Sequence, residues 1–417
     1  MPRSKGIIDF LEFFLCIMLI LSFRTVWMYT ESQTISRLLT IMVFVSILLL
    51  MMSYIVFLRA TITVNDLSIL MLIFSSVLVS MIISGIGGNG FLLVRHVAYI
   101  FLLITLFLSY RLERLNSIIS QFVFICCILG VFSLLFWILA ILGVPTNSVL
   151  MINWSSRYYA PVRGFLGIFY FSQDFTSFLG LYLPRNTAIF TEAPMSSFVF
   201  CLALLFETFI VPKVKRRRLE AKQFLLIATI ISTTSTTGIM IVVLTVAAIF
   251  FKDVKINPLV LITGLIIATA AIFILWQLFL VKTSENSGSV NVRFDDIQAG
   301  THAWLLHPFF GNGLEKTRVY VPFILGYRVL ENGNAGFSSG ILQILMTGGL
   351  FYFTTIVLLP CLRMFRANRN YFFLAVLFLI MLLNTVIYDT YIMFFLSALF
   401  YALTLRSNAD VSSEQPA

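Results

Sequence analysis

Charge is what this chain has least of. Only 11% of its 417 residues are Asp, Glu, Lys or Arg, whereas a soluble domain carries roughly a quarter, so an ordinary water-soluble fold is excluded. Histidine is almost missing, with His96, His302 and His307 as the full set. Cysteine is sparse as well. Cys16, Cys126, Cys127, Cys201 and Cys361 lie in or beside apolar runs without metal-ligand spacing, which argues for ordinary packing and against a disulfide framework. No His-Glu-x-x-His, Cys-x-x-Cys or carboxylate cluster occurs, so neither a metal nor another cofactor is expected. Gly85-Ile-Gly-Gly-Asn-Gly90 and Gly311-Asn-Gly313 have no strand before them, and a dinucleotide fold is excluded with them.

What fills the sequence is hydrocarbon. Hydrophobic residues make up 60% of it and the mean hydropathy is +1.00. Apolar runs fall at about 7–23, 35–58, 67–84, 91–109, 118–143, 189–211, 223–251, 257–281, 340–360, 371–388 and 391–405, each near the ~20 residues a crossing helix needs. The first run could pass for a signal peptide. It carries Asp9 and Glu12, however, with no small-residue cleavage site before Arg24, and it reads as a retained helix. The 223–251 run is long for one crossing and is interrupted by Ser232-Thr-Thr-Ser-Thr-Thr-Gly238. Read as two short helices, it puts the basic clusters Lys213–Lys222 and Lys252/Lys255 on the same side. The net charge of +10 is then an orientation signal rather than a nucleic-acid footprint, because most Lys and Arg gather in loops on one face. These patterns predict an all-α polytopic membrane protein crossing about twelve times with both termini cytoplasmic. The segments are 1–143 (N-terminal helices), 144–188 (a first large outer loop), 189–281 (central helices), 282–339 (a second large outer loop) and 340–417 (C-terminal helices and tail).

Long connections of this kind are usually functional. The first holds Tyr158, Tyr159, Tyr170 and Tyr182 among Trp154, Arg157, Arg163 and Arg185. Such aromatics serve as membrane belts; clustered with arginines they also suit a sugar joined to a phosphate, since Arg grips phosphate oxygens with a planar fork. Glu192 then enters the head of an apolar run. An acid there is a functional candidate by default, or a salt-bridge partner for Arg185. In the second loop, Asn291 is predicted to cap a helix with Asp295 and Asp296 in its first turns. Phe294, Ile297, Trp304 and Leu305 recur at helical spacing and make one apolar face. Pro308 and Gly311-Asn-Gly313 end it. This is an amphipathic helix lying on the membrane surface or capping the bundle, with Arg293 on its polar side; an interfacial helix without chemistry has the same pattern. His96, beside Arg95 in a helix, reads as a packed polar pair or a headgroup contact.

In order along the second half, these residues resemble the O-antigen polymerase and ligase superfamily, whose members join lipid-linked glycans on the outer face of the bacterial inner membrane. Arg185…Ile189-Phe190-Thr-Glu192-Ala-Pro194 is similar to the family's entry to the span after its first large loop. Ser235-Thr-Thr-Gly238 resembles its break between two short helices. Arg293…Trp304…His307-Pro308-Phe-Phe-Gly311-Asn-Gly313 looks like its second-loop signature, and Gly336-Phe-Ser-Ser-Gly-Ile-Leu-Gln343…Gly348-Gly349 its re-entering segment. The first half matches by topology alone. Where ligases of the family carry a His-Asn-type pair, Ser338 and Ser339 stand here, which favours a repeat-unit polymerase over a ligase.

The resemblance implies a GT-C-like glycosyltransferase that uses no nucleotide sugar. Its donor and acceptor are undecaprenyl-diphosphate-linked glycans in the lipid bilayer, a chain-length regulator is a further partner it allows, and nucleic acid is not involved. It makes Arg185 and Arg293 the diphosphate clamp, with Arg157, Arg163, Arg318 and Arg328 as secondary contacts and His302, Trp304, Gly311, Gly313, Ser338 and Ser339 around the substrate. Glu192, His307, His302 and Asp296 are the candidate bases, Glu192 foremost. A lipid-linked glycan transporter is the competing class; no internal repeat is evident between the halves, and few charges lie inside spans.

Overall fold

The computed structural model describes residues 2–84, 90–153, 159–173, 175–178, 181–211, 219–251, 287–326, 328 and 336–405. The expected crossing at 257–281, the basic stretch 213–218, Lys252, Lys255, Trp154, Arg157 and Tyr158 lie outside the described residues.

Helices dominate, and their apolar runs explain them. α1 (Pro2–Leu21), α2 (Gln33–Leu58), α3 (Val64–Ser84), α4 (Gly90–Arg111) and α5 (Leu115–Ile141) form the first half. At ~1.5 Å per residue, the 26 residues of α2 exceed the ~30 Å hydrocarbon layer. Ser32 caps its start by accepting from the Thr34 amide, and Arg59, in the left-handed region at φ 51°, ends it. One face of α2 is buried through Val43, Ile47, Leu50 and Tyr54, whereas Ile41, Val45, Leu49 and Met52 stay exposed. In water that outer stripe would be a liability; in lipid it is solvated.

The buried acids in these helices are paired. Arg114 holds Asp9 and Glu12, and Glu12 also accepts from the Tyr54 hydroxyl at 2.8 Å and from Ser117 at 2.6 Å. Asp66, fully buried, meets Arg111 at 2.9 Å. Intramembrane acids persist only when matched in this way.

The central helices are α6 (Ala193–Phe209), α7 (Ala221–Ser232) and α8 (Thr236–Phe251). α6 is almost wholly buried. The 223–251 run does break, at 233–235, where Thr233 and Thr234 turn back their hydroxyls onto nearby backbone carbonyls. α7 and α8 both pack on α6. A Cβ on Gly238 would collide with the Ser197 hydroxyl, so this glycine lets α8 lie close to α6. The C-terminal part comprises α9 (Ser287–Leu305), α10 (Gly340–Phe353), a π-turn at Thr354–Leu358, α11 (Leu359–Ala367), α12 (Arg369–Leu383) and α13 (Tyr391–Leu403). α4 and α13 run side by side, stitched by Tyr99 to Ser397 at 2.8 Å and Tyr110 to the Leu405 carbonyl at 2.9 Å. His96 and Arg95 do not pair with each other: His96 bonds Tyr352 at 2.7 Å, and Arg95 turns to Asp389.

The first large loop departs from the all-helical expectation. Strands β1 (Ser148–Ile152), β2 (Ala160–Phe165) and β3 (Phe169–Phe171) form an antiparallel sheet, and β4 (Thr176–Phe178) with β5 (Leu181–Leu183) a hairpin. Tyr170 is therefore core rather than belt, packed with Val26, Ile152 and Val162. Strands of three to six residues, bounded by residues that serve loops equally well, leave too little alternation to read.

Candidate functional site

The connection into α6 carries the first candidate residues. Asn186 anchors it, bonding Ser133 at 2.8 Å and Ser232 at 2.9 Å through its side-chain amide. Arg185, one residue earlier, is thereby set against the α7–α8 break, where its Nε donates to Thr234 Oγ1 at 3.1 Å. Among the described residues its two terminal nitrogens have no protein acceptor. Burial pushes this guanidinium below its ordinary value while Glu192 pulls it up. Glu192 is the N-cap residue of α6, yet its side chain does not cap the helix; Gln173 accepts from the Ala193 amide at 3.0 Å instead. The alternative offered for Glu192, a salt bridge to Arg185, is not formed. The carboxylate stands in the field of two arginines, Arg185 and Arg24.

Arg24 reaches this place through backbone pairing. Its carbonyl accepts from the Thr191 amide at 3.0 Å, and Thr25 bridges to Phe190. Arg24 itself is left-handed at φ 42°, an uncommon state for a residue with a side chain. Beyond it the 384–390 turn brings Asp389, whose carboxylate and carbonyl both accept from Arg95 Nη1, at 2.9 Å and 3.1 Å. Tyr29, Asp389 and Glu192 together hold the Arg24 guanidinium above its ordinary value against the effect of burial.

The second large loop docks on the same end of the bundle. α9 begins at Ser287, so Asn291 lies inside the helix and does not cap it, and Asp295 and Asp296 fall mid-helix. The helix turns its acidic and small residues inward. Asp295, Asp296, Ala299, Gly300 and Ala303 are buried; Phe294, Ile297 and Leu305 are exposed, continuous with exposed Leu306, Phe309 and Phe310. Arg293 donates to the Asn384 side chain at 3.0 Å, just beyond α12. Burial lowers its pKa and Asp296 raises it.

After α9 the chain inserts into a break in α10. Gly349 is non-helical there at φ 72°. Asn312 and Gly313 donate to the carbonyls of Met346 and Thr347 at 3.0 and 2.9 Å, and the Leu350 and Phe351 amides donate to Pro308 and Phe309. A Cβ on Gly311 would strike Thr347 and Gly349. Gly311 and Gly313 thus serve the docking of loop on helix; both are buried.

Several expected substrate contacts bond within the protein itself. Arg328 is buried against Asp295 and Asp296, and Ser338 bonds Asp296 through both amide and hydroxyl. Ser339 caps α10. Trp304 donates to the Pro308 carbonyl at 2.9 Å. Arg163 on β2, Arg318, His302 and His307 are exposed. His302 lies edge-on to Phe323, and the His307 carbonyl accepts from the Gly311 amide. Arg185, Glu192 and Arg293 remain as half-buried groups at one end of the bundle, joined by Arg24, Arg95 and Asp389, which sequence reasoning did not single out as a site. An acid beginning a turn before an apolar run was the one available signal for Asp389. Among the described residues no three His, Cys, Asp or Glu side chains come together as a metal site.

Five of the described helices are long and apolar enough to cross a bilayer, and five shorter apolar ones pack among them. This architecture is that of an α-helical membrane protein. No family model matches the chain, and neither does any curated protein or solved structure.

Proposed function

We propose that the protein polymerises undecaprenyl-diphosphate-linked oligosaccharide repeat units on the outer face of a bacterial inner membrane, in a twelve-crossing topology with both termini cytoplasmic. The observation that carries this reading is the pairing of arginines that keep unused donors with an acid that is not salt-bridged, all among the described residues. There Arg185 offers both terminal nitrogens, Arg293 bonds through one nitrogen, and Glu192 lies in the field of Arg185. A diphosphate leaving group needs its developing charge neutralised, and preorganised cations do that without a metal. In the step itself the bond from the donor sugar's anomeric carbon to the diphosphate oxygen breaks. The acceptor hydroxyl forms the new bond to that carbon and gives its proton to Glu192, and the carrier leaves as undecaprenyl diphosphate on Arg185 and Arg293.

Ser338 and Ser339, occupied in holding Asp296 and starting α10, supply no ligase-type base. Purified protein supplied with lipid-linked repeat units is expected to give a ladder of products, lost in Arg185→Ala. Transfer to a lipid A core would mean a ligase, and substrate translocation without lengthening a transporter. An Arg293→Ala variant with normal polymer length removes Arg293 from the mechanism.

A further inference from the structure

Between the turn after α1, the start of α4 and the 384–390 turn lies a cleft of about 40 Å³ lined by Ser22, Arg24, Met28, Tyr29, Arg95, Asp389, Thr390 and Tyr391. That is far below the ~300–1,000 Å³ of sites that enclose a whole ligand, so it suits one small group, such as a single phosphate, with the rest of the molecule outside. Tyr391 is 3% exposed, and its hydroxyl has no hydrogen-bond partner among the described residues. A buried polar group left so calls for an explanation. The Arg24 guanidinium likewise has no acceptor among the described residues, although the backbone around it is fixed by Thr191 and held left-handed. Strain of that kind gathers at functional sites. Asp389 is immobilised through one carboxylate oxygen by Arg95, and its other oxygen has no partner among the described residues.

The cleft therefore presents a cation held charged by Tyr29, Asp389 and Glu192 but hydrogen-bonded to no described acceptor, a phenol donor and a fixed acceptor. We propose that it is a second anion subsite, in which Arg24 and Tyr391 hold the phosphate of a membrane lipid while Asp389 accepts a hydroxyl borne next to it. Two sources share that chemistry: the diphosphate-linked sugar of a polyprenyl carrier and a glycerol-type phospholipid headgroup. The first choice rests on the function proposed above; the subsite itself does not.

The test is binding to the full-length protein in phosphatidylcholine nanodiscs, titrated with undecaprenyl diphosphate bearing one sugar or with phosphatidylglycerol. Tyr391→Phe removes a single oxygen and Arg24→Gln the charge; each is expected to weaken one ligand about 10-fold or more. Weakening of the sugar diphosphate makes the carrier the occupant. Weakening of phosphatidylglycerol alone keeps the subsite and makes it a headgroup site. Because Arg24→Gln could act by loosening its turn, the effect must also appear in Tyr391→Phe; unchanged affinities for both ligands in that variant overturn the subsite. Product ladders from the same wild-type preparation are read separately. A missing ladder with cleft binding intact removes the polymerase and leaves the subsite standing.

Discussion

Arg328 donates from one nitrogen, Nη1, to both Asp295 at 2.5 Å and Asp296 at 2.9 Å, with all three residues buried. Removing the cation leaves two buried acids facing each other, and breaking a buried pair of this kind costs about 3–5 kcal/mol. Arg328→Met is therefore expected to lose the folded protein in a thermal melt, whereas Arg318→Gln, at an exposed position, leaves the melt unchanged. Equal melts for the two variants would refute the assignment of Arg328 to structure.

The same cluster predicts a pH dependence. Burial raises the Asp296 carboxyl above its ordinary range, against the opposing pull of Ser338 and Arg328. A raised folded-state value means the folded protein holds the proton more tightly, so stability falls as pH climbs from about 4 through that value. Asp296→Asn removes this slope. Melts across pH should show the gap between wild type and variant shifting in the variant's favour as pH rises; a constant gap contradicts the shift.

Gly311 and Gly349 meet backbone to backbone, both at positive φ, 74° and 72°. A methyl group at either is expected to destabilise by about 2 kcal/mol or more, from the left-handed backbone and the clash together. Gly326→Ala, with open space around it, is the control. Melts that put Gly311→Ala beside Gly326→Ala would show that the loop does not dock as described.

Under the proposed chemistry, Arg185→Ala should lower turnover about 10²- to 10³-fold, as loss of an oxyanion donor does. Glu192→Gln should lower it about 10²- to 10⁴-fold. Wild-type turnover in that variant assigns the proton elsewhere.

The inverted helix α9 predicts a labelling pattern. The five native cysteines are buried, so an added thiol reports alone. Gln298→Cys should react from outside with a membrane-impermeant reagent, and Ile297→Cys should be shielded by lipid, since neighbouring helix positions point about 100° apart. Labelling of Gln298→Cys only from the cytosolic side would end the outer-face reading.

Much of the helical frame was legible because lipid imposes one rule, twenty apolar residues in a row, and α2 to α5 obey it. The Ser/Thr break before α8 was visible as an interruption of that rule and Gly311 as a turn, whereas the break at Gly349 lies inside a run, 340–360, that reads as continuous. What escaped notice depends on partners far apart in the chain. Arg24 and Asp389 line one cleft from opposite ends of the sequence, and no spacing announces it. Arg328 read as a substrate contact because an arginine in an outer loop looks the same whether it faces solvent or two aspartates. The direction of α9 was left open for a related reason: a helix at a membrane can leave its greasy side outward, as Phe294 and Ile297 do, and periodicity alone does not say which side is covered.

The insertion of residues 308–313 into the break at Gly349 bears on how the molecule is assembled. Carbonyls stranded in hydrocarbon are costly enough that only closed hydrogen-bond patterns persist there. The Met346 and Thr347 carbonyls find their closure in Asn312 and Gly313, so this crossing is completed by a segment translated before it. Without that segment in place those two carbonyls lack these amide donors, so the second loop is part of the crossing's own hydrogen bonding as well as its cover.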